Sequence, residues 1–151
     1  MESLLIGGVL LASGAVMFPL AFVGIWLAVT FLLATTSGWS ALRREHPDPG
    51  PEPTRWQPVR VGYLGGVRFR GSVMSIGASP AGLHLKTGFL FASAHQPIRV
   101  PWALVRVGEV GTLLWETSRV LSLGANGVSF KLSDAEWQKV QADAVGLGVA
   151  L

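Results

Sequence analysis

Residues 3 to 36, SLLIGGVLLASGAVMFPLAFVGIWLAVTFLLATT, hold no charged side chain, and this run constrains the chain more than any other feature. A helix needs only about 20 apolar residues to cross a bilayer. A cleaved signal peptide would start with positive charge and carry a shorter apolar core. Here Glu2 comes first and no Lys or Arg precedes Arg43. Residues 1–44 are therefore expected to form a retained transmembrane anchor. As one straight helix the run would measure about 51 Å, against about 30 Å of hydrocarbon. Two arrangements fit: one kinked span, or a helical hairpin broken at Pro19. The hairpin is preferred slightly, because each half would be about 22 to 25 Å and bilayer thinning accommodates that. Gly7, Gly8, Ala12 and Ala15 would let two helices approach closely, although such residues are also ordinary membrane-helix composition.

The exit from this segment is marked by Trp39, expected as an interfacial aromatic, and by Arg43 and Arg44. Positive charge flanking the last span favours the cytoplasmic side. The chain is thus expected to be an integral protein of the inner (cytoplasmic) membrane with its C-terminal part in the cytoplasm. Pro47, Pro49, Pro51 and Pro53 then alternate through residues 45–54. Proline lacks a backbone donor and disfavours helix in the residue before it. The stretch is expected to be a spacer, either polyproline-like at about 3.1 Å per residue or a disordered linker.

From residue 55 the pattern changes to period two. Val59 and Val61 alternate with Arg60, Val67 and Phe69 with Arg68 and Arg70, and Leu83 and Leu85 with His84 and Lys86. This is the signature of half-buried strands. Turn residues at LGG, SPAG, KTG and GANG separate the runs, and Asn126-Gly127 is expected to pivot a tight hairpin. About seven short strands are expected over residues 56–132. Ser133 and Glu136 then have the spacing of a capping box, opening a helix over 133–146. Trp137, Val140 and Ala144 fall on one face of it. The predicted fold class is an N-terminal transmembrane helix or hairpin followed by a mainly-β domain, residues 55–151, that closes with one helix.

Seven strands and a C-terminal helix, together with the run ASPAGLHLKTGFLFASAHQPIRVPWALVRV, resemble bacterial pleckstrin-homology-like domains. The carrying features are the Gly82-Leu83-x-Leu85 strand and the later strand with Ile98, Pro101 and Trp102. The resemblance spans residues 56 to 145 and implies a PH-like fold behind one or two membrane helices. It implies no particular activity. Eukaryotic relatives that bind phosphoinositides use a basic loop between the first strands, and GYLGGVRFR is not close enough to that pattern to transfer residues.

Residues 55–131 hold nine basic side chains and two acidic ones. Strand alternation turns Arg60, Arg68, Arg70 and Arg99 outward, and these four are the candidate lipid- or partner-binding residues, with Arg106 on the same side. Each near-surface charge contributes about 1 kcal/mol against anionic lipid; a face kept merely soluble by arginine is the plainer alternative. Nucleic acid is not expected, since no aromatic residues interleave these arginines. With no cysteine, disulfides and thiolate chemistry are excluded. His46, His84 and His95 lack the spacing of a metal site, and no serine sits in a nucleophile elbow. Neither catalytic residues nor a metal or cofactor are expected. Trp102 and Trp137 are expected in the core, with an aromatic peptide groove as the alternative. The expected function is a membrane-anchored, non-catalytic cytoplasmic interaction module that binds a protein partner or the anionic membrane surface. The alternatives are an accessory subunit of a larger membrane enzyme or transport complex, and a structural envelope protein without a ligand.

Overall fold

The computed structural model describes residues 2–48 and 50–151, with side chains from Ser13 onward. Helix α1 runs unbroken over Glu2–Thr36 and passes through Pro19. The hairpin preferred from the sequence does not form. Proline at one position removes a single N–H, and an apolar segment with no water to satisfy its backbone does best as continuous helix. Within α1, Ser13–Thr36 is long and apolar enough to cross a membrane. Its threonines are satisfied inside the helix: Thr30 donates to the Leu27 carbonyl at 2.9 Å, and Thr35 and Thr36 to that of Leu32 at 2.8 and 2.9 Å.

The chain turns at Gly38, whose φ of 78° is left-handed and favours glycine. Helix α2, Trp39–Glu45, follows. Trp39, expected as an interfacial aromatic, is turned into the protein. It is fully buried, as are Leu42 and, from the end of α1, Ala34, and all three belong to the same apolar cluster as the sheet. The Trp39 indole N–H donates to the Gln96 carbonyl at 3.0 Å, and Arg43 bonds the Gln96 side chain.

Seven strands follow: β1 Trp56–Leu64, β2 Val67–Ser79, β3 Gly82–Thr87, β4 Ile98–Val100, β5 Val105–Leu113, β6 Glu116–Leu123 and β7 Val128–Ser133. They form one curled antiparallel sheet in the order β4-β3-β2-β1-β7-β6-β5. The sharpest irregularity lies between β1 and β2. Arg60 interrupts the register on β1, opposite Gly71, Ser72 and Val73 on β2, where Gly71 and Ser72 have positive φ. Such bulges bend a strand and increase its twist. The turn before β7 also differs from expectation: Gly124 and Gly127 take positive φ, whereas Asn126 instead donates to Glu45 at 2.6 Å.

Helix α3, Asp134–Gly146, packs against β1, β2, β6 and β7 with Trp137, Val140 and Ala144 inward. Ser133 stands at its N-cap, but the hydroxyl makes no capping bond. Glu136 has a different partner, the backbone N–H of Arg60 at 3.0 Å. The arrangement, one long apolar helix followed by a seven-stranded antiparallel sheet and a closing helix, is compatible with a PH-like fold.

The proline-rich stretch is not free of the sheet. Pro47 bridges Ile98 of β4, and the Arg99 N–H donates to the His46 carbonyl at 3.1 Å. Pro53 is buried against Gly77, where an added Cβ would meet its ring at 2.5 Å.

Candidate functional site

The four arginines that strand alternation placed on one face separate into two groups. Arg60 sits at the β1 bulge, so its N–H leaves the ladder and reaches Glu136 of α3. Its guanidinium lies 3.3 Å from Glu116 and 3.5 Å from Glu136. Arg99, on β4, is half-buried and covered by the proline-rich stretch: a Cβ on Gly50 would run into its guanidinium. Both therefore make internal contacts.

Arg68 and Arg70 are different. They alternate on β2, both exposed, opposite Tyr63 and Val61 of β1. Neither has an ion-pair partner among the described residues. They border a cavity of about 250 Å³ where α1 ends against the sheet, lined among others by Leu33, Trp39, Phe69, Met74, Phe91 and His95. A volume near the lower end for small-molecule pockets suits one apolar segment of a ligand rather than a whole one. His95 is 8% exposed, and its Nδ1 has no hydrogen-bond partner. Burial holds its pKa below the ordinary histidine value, with the Phe91 backbone acting in the opposite direction. The ring packs edge-on to Trp39 and Phe91 at 5.3 and 6.2 Å. An apolar cavity with a neutral imidazole inside and two free guanidinium groups at its rim favours an anionic, amphipathic ligand.

A second constellation was not visible in the sequence. His84, fully buried, places Nδ1 2.6 Å from Asp48 Oδ2 and Nε2 2.7 Å from Ser79 Oγ. The Asp–His–Ser order matches a nucleophilic triad by connectivity. Its surroundings do not serve that chemistry. Ser79 is tied into the β2–β3 turn, accepting from the Ala81 N–H at 3.2 Å, and none of these three residues lines any of the cavities described. What the network does is fasten residue 48 to the sheet. The loop spacing alone could not have shown it, because the partners lie 36 residues apart.

The β5–β6 hairpin closes through Leu114 and Trp115. Leu114 takes a φ of 56°, and Trp115 is 97% exposed. Glycine or asparagine is the usual occupant of such a position. A leucine with positive φ beside an exposed tryptophan is an unusual pair for a solvent-facing turn. Between this tip and α3 lies a smaller recess lined by Arg60, Glu116, Ser133 and Glu136.

Compared with protein-family models, with curated proteins and with solved structures, the chain has no match.

Proposed function

We propose that the protein is a membrane-anchored, non-catalytic interaction module of the cytoplasmic membrane, whose PH-like domain binds the anionic lipid surface through Arg68 and Arg70. The observation that carries this is the pair of free arginines at the rim of an apolar cavity, at the point where the apolar helix meets the sheet. Arg43 and Arg44 after α1 support a cytoplasmic orientation. Arg60 and Arg99 are left out of the binding face: the Arg60 charge is paired with Glu116 and Glu136, and Arg99 is half-buried beneath the proline-rich stretch.

The test uses the full chain, extracted in mild detergent and separated from bulk lipid. The retained phospholipid should be enriched in anionic species. Arg68→Glu with Arg70→Glu should abolish that enrichment, as should raised salt, whereas Arg55→Glu should not. Equal retention of anionic and zwitterionic lipid by both proteins would overturn lipid binding at this site.

The Leu114–Trp115 tip favours a second reading, a protein partner, and with it the accessory-subunit role in a larger membrane complex. Crosslinking from native membranes separates the two: Trp115→Ala should remove a crosslinked partner and leave lipid retention intact.

A further inference from the structure

Between Lys86 and Arg99 the chain carries no formally charged residue, and Gly88–His95 reads GFLFASAH. In the structure this segment is a compact loop whose backbone is partly bonded to itself. Phe91 N–H donates to the Gly88 carbonyl at 3.0 Å, Ala92 to Phe89 at 3.3 Å and His95 to Phe91 at 2.9 Å, while Gly88 is held by the Val73 carbonyl at 2.8 Å. Two of its apolar side chains are turned to the outside: Phe89 is 87% exposed and Leu90 54%. Alone, this would be an apolar loop without an occupant.

What covers it follows from where it docks. The Trp26 indole N–H donates to the Leu90 carbonyl at 3.0 Å, and the Trp26 and Phe91 rings lie 5.3 Å apart. Trp26 lies within Ser13–Thr36, the part of α1 fit to cross a bilayer. It precedes Thr36 by ten residues, about 15 Å along the helix axis. On both sides of Trp26 the surface of α1 is exposed and apolar, with Phe22 and Val23 before it and Val29, Phe31 and Leu32 after it. A bilayer that covers these residues also covers a loop fixed between them. Part of its backbone is bonded within the protein, the Leu90 carbonyl included, which lowers the cost of placing irregular backbone in lipid.

We infer that the tip of this loop, Phe89 and Leu90, is immersed in the bilayer beside α1, as a second membrane-embedded element that fixes the sheet directly on the headgroups. The inference rests on α1 crossing the membrane. It explains why the loop exposes phenylalanine and leucine with no charge between them. It also places the cavity rim with Arg68 and Arg70, which shares Phe91 and His95 with this loop, at headgroup depth.

The absence of cysteine makes the test direct. Phe89→Cys and, separately, Leu90→Cys are introduced into the full chain in liposomes, with Trp115→Cys as the exposed reference. A membrane-impermeant maleimide should label residue 115 and fail to label 89 or 90. A fluorophore placed at 89 by a permeant reagent should be quenched by quencher-bearing lipid. Labelling at 89 and 90 as fast as at 115 would overturn the inference. So would protection without lipid quenching, which would mean that protein covers the loop. Alkaline carbonate extraction is run in parallel. A chain released by carbonate refutes the membrane anchor itself, whereas a retained chain with an accessible loop refutes only the embedding.

Discussion

Asp48 reaches His84 at 2.6 Å although both side chains are almost wholly shut off from solvent. The bond joins the segment after α2 to the middle of β3, and with the Pro47 bridge to Ile98 it makes residues 46–48 part of the fold's outer edge. Removing the carboxylate leaves a buried imidazole N–H without an acceptor. Asp48→Ala should cost about 2 kcal/mol, read as a lowered thermal midpoint of the detergent-solubilised protein. An unchanged midpoint would mean that the tether contributes nothing.

The contribution of α2 can be measured by truncation. A fragment starting at Pro53 loses Trp39, Leu42 and the Asp48–His84 bond together, and should unfold without cooperativity. One starting at Gly38 keeps all three. Within the full chain, Trp39→Ala should cost about 3 to 5 kcal/mol, as for other large side chains removed from a core. Equal denaturant midpoints for the two fragments would show that the sheet and α3 fold without α2.

At the start of α3 the order of effects should invert what a capping box implies. Ser133→Ala should change stability by no more than about 0.5 kcal/mol, since its hydroxyl caps nothing, against about 0.5 to 2 kcal/mol for a bonded cap. Glu136→Ala should cost about 2 kcal/mol, because the Arg60 N–H at the bulge loses its acceptor. Comparing the two variants in one urea series decides between the arrangements.

His95 gives a pH dependence with a definite sign. Its folded-state pKa lies below the ordinary 6.5, so as the pH falls the unfolded chain takes up the proton first. Its neutral form contributes in full above 6.5; stability drops as the pH falls below that value, and the loss levels off beneath the folded-state pKa. His95→Gln should flatten that part of the profile. A wild-type profile identical to that of the variant between about pH 8 and about pH 5 would rule the effect out.

Strain at the hairpin tip can be relieved. Leu114→Gly should stabilise the protein by up to about 1 kcal/mol, since glycine adopts positive φ without the steric penalty of a Cβ. If the tip binds a partner, the same change should weaken crosslinking.

The alternating residues around Val59, Phe69 and Leu85 made the strands legible, and the Trp137, Val140 and Ala144 spacing made α3 legible, because both are local periodicities set by the backbone itself. The interruptions were less visible. Arg60 reads as one more outward residue until the bulge opposite Gly71–Val73 breaks the count, and Glu136 reads as half of a capping box until that bulge offers it a better donor. Trp39 resembles an interfacial tryptophan because its acceptor, the Gln96 carbonyl, lies 57 residues away. Of the four candidate arginines, alternation left Arg60, Arg68 and Arg70 exposed, but it could not show that Arg60 pairs with Glu116 and Glu136. It had no means of seeing that the proline-rich stretch folds back over Arg99. The Leu114–Trp115 pair did carry a signal, an apolar dipeptide where two strands must turn, and its weight depended on knowing where the strands end.

The two lateral edges of the sheet have different fates. The outer side of β4 is occupied by the chain's own entry segment, through Pro47 on Ile98 and the His46 carbonyl on Arg99. The outer side of β5 is exposed from Arg106 to Thr112 and guarded by the charges of Arg106 and Glu109. Of the two terminal strands of the sheet, only β5 keeps its outer edge open to strand addition between molecules. Two copies that met there would pair β5 with β5, an isologous contact that closes as a dimer and does not propagate.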